Sequence, residues 1–325
     1  MEKRTLGRTG RDVGVVGLGA WQLGGDWGEV DEGDALAVLT AAVDGGVTFI
    51  DTADVYGDGR SERLVGQFLK DHQGLTVATK MGRRVEQRPE NYHLDAFRAW
   101  NDRSRENLGV DTIDLVQLHC PPTEVYSTDA VFDALDTLVE EKRIAAYGVS
   151  VETSAEALTA IARPNVASVQ IILNAFRLKP LDEVLPAAAQ AGVGIIARVP
   201  LASGLLSGKY DEHTTFSADD HRNYNRRGEA FDVGETFSGV DFATGLEAVR
   251  RLVPLVPEGA TTAQFALRWI LDQPGVSVVI PGARNPSQVA GNVAAASLTP
   301  LGPDQLSAVR EVYDELIRPQ LHGRW

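Results

Sequence analysis

Residues 48–56 read TFIDTADVY: a short apolar run closes on a carboxylate, Asp51, and a phenol, Tyr56, follows five positions later. A carboxylate at the end of a buried strand needs a partner, and the rest of the chain has to supply it. Apolar runs of the same kind, rich in Val and Ile, recur as VGVVGL from Val13, LTVATK from Leu75, IDLVQLH from Ile113 and AAYGVS from Ala145, then as ASVQIIL from Ala167, VGIIAR from Val193 and VSVVIPG from Val276. With TFID they make eight candidate strands. Helix-patterned segments lie between them, such as DALAVLTAAVDGG from Asp34, SERLVGQFLKDH from Ser61 and TDAVFDALDTLVEEKR from Thr128, several opened by Ser, Thr or Asp and some closed by Gly. Alternating strands and helices pair in parallel through crossovers, and eight such units predict an α/β protein, a (β/α)8 TIM barrel occupying residues 1–325 as one domain. An open doubly wound sheet is the rival. Its dinucleotide fingerprint is missing, because GLGAWQ from Gly17 carries Gln22 where the third glycine belongs.

Two segments fall outside the repeat. RTLGRTGRDVG, residues 4–14, carries two Gly turn signals and predicts a β-hairpin closing the barrel floor. Residues 211–242 form a long polar loop between the seventh and eighth strands, where barrel enzymes build substrate loops. Its DEH and DDH triplets match no standard metal-ligand spacing, so no metal is expected.

Thirty-one Lys and Arg against 45 Asp and Glu give a formal charge of −14, which argues against a nucleic-acid surface and obliges any anionic ligand to find a local basic site. The N-terminal MEKRTLGRTG has no apolar leader, no stretch is long enough to span a membrane, and the single Cys120 excludes an internal disulfide. A cytoplasmic protein with no membrane or nucleic-acid partner is expected.

In a barrel the strand ends converge on one mouth. Read in order they offer Trp21, Asp51 with Tyr56, Lys80, His119, Ser150, Gln170 with Asn174, and Arg198. Each has an ordinary structural role open to it, Asp51 as a turn cap or His119 as a core histidine. Four proton-handling groups at successive strand ends suggest chemistry instead. A phenol donates a proton to a developing alkoxide more readily beside a cation, which Lys80 supplies, and Asp51 supplies the counter-charge that a buried lysine needs. His119 then orients the substrate oxygen. Cys120 is expected to point away from His119, as successive strand residues do, and to pack.

These residues resemble the aldo-keto reductases, on GVTFIDTADVYGDGRSERLVG from Gly46, VATKMG from Val77, NLGVDTIDLVQLHC from Asn107, PLASGLLSGKY from Pro200 and IPGARNPSQVAGN from Ile280. The resemblance implies a barrel that binds NADPH, with NADH as a second option, in an extended pose, and reduces a small aldehyde or ketone with Tyr56 as general acid among the tetrad Asp51, Tyr56, Lys80 and His119. It implies substrate contacts from Trp21, Tyr56 and His119, contacts to the nicotinamide carboxamide from Ser150 and Gln170, and further cofactor contacts from Ala20, Trp21, Asp51 and Arg198. It also implies pyrophosphate contacts from Leu201, Ser203, Gly204 and Lys209, and an adenosine site from Gly282 to Asn292 that includes Arg284 and Gln288. The chain departs from the family pattern at Val151, where many members have Asn, and at Gly282, Ala283 and Gln288, where many have Lys, Ser and Arg. Selectivity for the 2′-phosphate is therefore expected to rest on Arg284. Arg198 stands where many members stack an aromatic ring on the nicotinamide; its planar guanidinium is expected either to take that place or to turn outward to an acidic loop residue. Tyr224 and Trp325 are further candidates for the pocket wall, with Trp325 also able to anchor the terminus. The family includes potassium-channel subunits, so a non-catalytic nicotinamide-binding regulatory subunit is the alternative; the lack of a long arm before the barrel argues against it.

Overall fold

The computed structural model describes residues 1–24 and 30–325. Strands β1 (Lys3–Thr5) and β2 (Asp12–Gly14) pair antiparallel as the expected hairpin. Eight parallel strands follow: β3 (Leu18–Gly19), β4 (Phe49–Asp51), β5 (Thr76–Met81), β6 (Leu115–His119), β7 (Tyr147–Ser150), β8 (Val166–Ile172), β9 (Gly194–Arg198) and β10 (Val276–Val279). Each pairs with the next in chain order, and parallel bridges from Val16 to Val279 and from Gly19 to Gly282 close the cylinder. Helices stand between them, including Glu32–Asp44, whose cap Asp31 accepts from the Asp34 amide at 2.7 Å, and Ser154–Ile161, opened by a Thr153/Glu156 capping box.

The first apolar run is divided rather than continuous. Val13 belongs to the hairpin, and the barrel strand starts only at Leu18. The chain changes partners between them: Val13 faces Arg4 across the hairpin, whereas the Gly17 amide donates to the Val279 carbonyl at 2.8 Å.

The alternation of strand side chains builds two layers inside the cylinder. Phe49, Ala78, Leu115, Ile196 and Val278 form an apolar lower layer, sealed by Leu6 and Val13 of the hairpin. Two positions further along the same strands come Asp51, Lys80, Gln117 and Arg198, all buried. Floor and mouth are therefore consecutive inward positions of one set of strands. The hairpin turn seats tightly: Gly7 has φ +48°, and a Cβ there would fall 2.1 Å from the Gly194 nitrogen and 2.3 Å from the Ala167 oxygen. A side chain at Gly7 would push the plug away from the entry ends of β8 and β9.

The long connection after β9 contains the short helix His221–Tyr224 and the helical turns Val233–Glu235 and Phe237–Gly239. The chain ends in the helix Pro303–Val312, a π-helical turn at Tyr313–Ile317 and the helix Arg318–Leu321, which bring Trp325 back to this connection. Its indole Nε1 donates to Asp232 Oδ1 at 3.1 Å, and the Arg177 guanidinium lies 3.8 Å from the ring centroid. Trp325 is thus a buried anchor. Among the described residues, no helix is long and apolar enough to cross a membrane.

Because Leu6 is fully buried in the floor, Leu6→Ala should lower unfolding free energy by about 2–5 kcal/mol, the usual result for a truncated core aliphatic. Urea denaturation monitored by circular dichroism measures it, and a loss below about 0.5 kcal/mol would show that the plug bears no weight.

Candidate active site

Parallel pairing sets the strand ends level, with Gly19 opposite Asp51, Lys80 opposite Gln117, His119 opposite Ser150, and Ser150 opposite Gln170. Lys80 Nζ donates to Asp51 Oδ2 at 2.5 Å, to the Thr52 carbonyl at 2.9 Å and to Tyr56 Oη at 3.1 Å. The other carboxylate oxygen, Asp51 Oδ1, accepts from Gln117 Nε2 at 3.0 Å and Gln170 Nε2 at 2.8 Å. The partner that Asp51 requires is therefore a buried ammonium, supported by two amides. Tyr56 sits on the turn after β4, its ring stacked on Trp21 at 5.9 Å between centroids and edge-on to His119 at 6.0 Å. That turn needs Gly57, with φ +57°, because a Cβ there would lie 2.1 Å from the Gly24 carbonyl oxygen.

Burial raises the Tyr56 phenol above its ordinary value, and the Lys80 charge opposes this without cancelling it. Burial disfavours the Lys80 ammonium, yet the Asp51 carboxylate and the Tyr56 oxygen outweigh it, and the lysine is held above its ordinary value. The resting pair is a protonated phenol beside an ammonium. Burial, and then the charges of Arg83, Lys80 and Arg198, push His119 well below the usual imidazole range. Its Nδ1 is buried without a partner among the described residues. With no acceptor there, the single proton belongs on Nε2, as a neutral donor at the mouth.

Cys120 departs from the expectation that it points away. Strand β6 ends at His119, Cys120 adopts φ +45°, and its side chain lines the same cleft, with Sγ 3.4 Å from Ser150 Oγ. Burial pushes the thiol up to about 12, so it is not a thiolate nucleophile.

A cleft of about 1350 Å³ runs from this mouth. Asp51, Tyr56, His119, Ala20, Trp21, Ser150, Gln170 and Arg198 line one part of it, and Leu201, Ser203, Gly204 and Lys209 continue the wall to Gly282, Arg284, Gln288 and Asn292. Lys80 lies beneath the wall, behind Tyr56. Tyr224 is on the wall; Asn174 is not, and instead binds the Val199 carbonyl and Ser238 Oγ. Several lining side chains also brace the groove: Ser203 Oγ bonds the Glu235 carbonyl at 2.9 Å, Gln288 Oε1 accepts from the Arg284 amide at 2.7 Å, and Asn292 Nδ2 donates to the Gly282 carbonyl at 3.2 Å. The Arg284 guanidinium is exposed and has no hydrogen bond or ion pair among the described residues. Val199, Ala202, Ser203 and Gly204 all have positive φ, between 46° and 94°, a concentration of left-handed backbone typical of a functional turn. Among the described residues, no cluster of three His, Cys, Asp or Glu side chains is placed to hold a metal ion.

Arg198 matches neither form of its expectation in full. It turns to an acidic loop residue, Glu235, at 2.5 Å, but inward, and its other Nη binds Glu152 Oε2 and the Val151 carbonyl, both at 3.0 Å. Carboxylates on both sides compensate its charge, so it is not a bare cation at the mouth. Glu152, Glu235, Arg83 and Gln117 are site residues that the sequence analysis missed. Gln117 had a usable signal, two residues before His119 and so on the same strand face. Glu235 had none, since it sits in the least patterned loop.

The family profile described as "Aldo/keto reductase family" matches residues 15–314. "Aldo-keto reductase YhdN" of Bacillus subtilis is 32% identical over 297 residues, covering 89% of this chain and 87% of that protein. "Probable voltage-gated potassium channel subunit beta" of Arabidopsis thaliana is 28% identical over 325 residues, covering 93% of each. The solved glycerol dehydrogenase AKR11B4 from Gluconobacter oxydans superposes with a TM-score of 0.78 at 31% identity, covering 94% of this chain and 93% of that one. The chain belongs to the aldo/keto reductase family.

If the environment of His119 is as described, its imidazole should stay neutral between pH 6 and 8. Nitrogen-15 NMR of histidine-labelled protein reads this directly, and a titration of His119 inside that window would overturn the assignment.

Proposed function

We propose that this chain, acting as one barrel domain, is an NADPH-dependent reductase of small aldehydes or ketones, with NADH as a weaker alternative. The observation that carries it is the relay Asp51, Lys80, Tyr56 at the head of a groove that continues to an uncommitted arginine, Arg284. NADP(H) is named on solved family members from Klebsiella pneumoniae, which share the fold at 22–23% identity. The residues here suit it: amide and hydroxyl groups beside Asp51, backbone turns along Leu201–Lys209, and a guanidinium at the far end for a 2′-phosphate.

A bound reduced nicotinamide supplies the hydride that reaches the carbonyl carbon. The protein's share is placement and the proton. Tyr56 Oη and His119 Nε2 take the carbonyl oxygen between them and polarise it. As negative charge develops there, the Tyr56 proton transfers to it, and the phenolate left behind is held by the Lys80 ammonium, itself fixed by Asp51 and the Thr52 carbonyl. A cytoplasmic setting fits the unpaired Cys120. The potassium-channel relatives favour a second reading, a nicotinamide-binding regulatory subunit without meaningful turnover. An aldehyde and ketone screen that follows the loss of reduced-cofactor absorbance separates the two.

Tyr56→Phe should lower kcat by about 100-fold or more while leaving cofactor affinity within a few-fold, because a donated proton is lost and little ground-state binding goes with it. Stopped-flow turnover and fluorescence titration measure the two, and retention of more than about a tenth of wild-type turnover excludes Tyr56 as proton donor. Lys80→Met should be similarly severe and should also destabilise the fold, by about 3–5 kcal/mol, since it leaves Asp51 buried without its counter-ion.

Arg284→Ala should weaken NADPH binding on the order of tenfold or more and NADH binding little, because only the former carries a 2′-phosphate for a charge-assisted bond. Equal losses in calorimetric titrations with the two cofactors would show that Arg284 does not read the phosphate.

A further inference from the structure

The substrate end of the cleft holds more guanidinium than its carboxylates satisfy. Arg83, Arg177 and Arg198 all converge on Glu152: Arg83 Nη2 binds Oε1 at 3.1 Å, Arg198 Nη2 binds Oε2 at 3.0 Å, and Arg177 Nη2 binds the backbone carbonyl at 2.8 Å. Glu235 adds one more carboxylate, to Arg198 alone. Three carboxylates, Glu152, Glu235 and Asp232, face the three guanidinium groups, yet donors are left over: Arg177 Nη1 and Arg198 Nε are buried without partners among the described residues. Burial, and then the nearby Arg198 charge, lower Arg177 to about 10, against the opposing pull of Glu152, Asp232 and Glu235.

Arg83 is the member of this group that presents an edge to the cleft. Gly82, at φ +116°, turns the chain just after the strand that carries Lys80, and a Cβ there would press on the Tyr92 ring at 3.0 Å. The turn brings Arg83 back over the mouth, where its Nε donates to the His119 carbonyl at 3.1 Å. Nε and Nη2 are thus committed on one side of the guanidinium. Nη1 has no hydrogen bond or ion pair among the described residues, and the side chain lines the cleft beside Tyr56 and His119. The end-on edge formed by Nη1 and the second Nη2 hydrogen has the spacing of a carboxylate. Of the charges acting on the His119 ring, Arg83 is the foremost, so the carbonyl position lies in a positive field.

We propose that Arg83 binds a carboxylate carried by the carbonyl substrate, so that the preferred substrates are small aldehyde acids or oxo acids. The inference rests on the reductase function above. Glu152 then serves as the positioning residue that holds Arg83 in plane and ties it to Arg198.

The test compares kcat/KM for 4-oxobutanoate and its neutral methyl ester, using wild type, Arg83→Gln and Arg83→Lys with NADPH. Wild type should favour the acid by about tenfold or more, as expected when a charge-assisted contact is made to one substrate only. Arg83→Gln should erase that preference, mostly through KM, and Arg83→Lys should restore part of it by returning the charge without the fork. A wild-type preference for the ester or for glyceraldehyde overturns the proposal, as does an equal loss for acid and ester in Arg83→Gln, which would make Arg83 a brace for Glu152 and nothing more. The wild-type comparison stands whether or not the variants fold. Turnover of the ester without preference for the acid sinks the carboxylate site and leaves the reductase standing; no turnover of any aldehyde by cofactor-bound protein sinks both.

Discussion

The ion pair between Asp51 and Lys80 is the constraint on which the rest of the mouth depends. Each side chain is nearly inaccessible, at 3% and 1% exposure, and moving such ions out of water costs several kcal/mol apiece. That cost is offset only if the partners are close and their remaining valences are filled. Here the pair meets at 2.5 Å, and Thr52, Gln117 and Gln170 fill the rest. The three strands that carry Asp51, Lys80 and Gln117 must keep their register, with Asp51 opposite Ala78 and Lys80 opposite Gln117, for these contacts to form together, and a slip of one residue would turn the charged positions into the apolar shell between strands and helices.

The lower layer makes that register stable. Phe49, Ala78, Leu115, Ile196 and Val278 lie one inward position below the polar groups, and the hairpin residues Leu6 and Val13 close the layer from beneath. Apolar burial there is non-directional and favourable, and it fixes the strands whose next inward residues are costly to bury. The division explains why the chemistry sits at one end of the cylinder only.

Much of this was legible in the sequence, for a local reason. Strand alternation and the position of Asp51, Lys80 and His119 at the ends of apolar runs are short-range patterns, and the proton-handling chemistry of those residue types follows without coordinates. The division of the first apolar run was not legible, because Val13 and Leu18 carry the same apolar signal and differ only in which distant strand they pair with. The turn at Cys120 was hidden for a similar reason, since nothing in the residue type forces a positive φ. The partners of Arg198 were furthest from view. Glu235 lies 37 residues away in a polar stretch without periodicity, and Glu152 follows Val151, the position at which the chain leaves the family pattern.

Those partners change what Arg198 means for the site. A lone guanidinium under the nicotinamide position would set a positive charge against an oxidised, cationic ring and so oppose it. Flanked by Glu152 and Glu235, the same group has its charge compensated by carboxylates, and it fastens the long connection to the end of β9. Ser203 adds a second fastening, with its hydroxyl accepting from the Phe237 amide and donating to the Glu235 carbonyl. The turn at Leu201–Gly204 and the long connection after β9, both on the wall of the cleft, are therefore joined through one glutamate. A change in the connection that displaces Glu235 would reach Arg198 and the mouth as well, so the two walls of the cleft are not independent in this barrel.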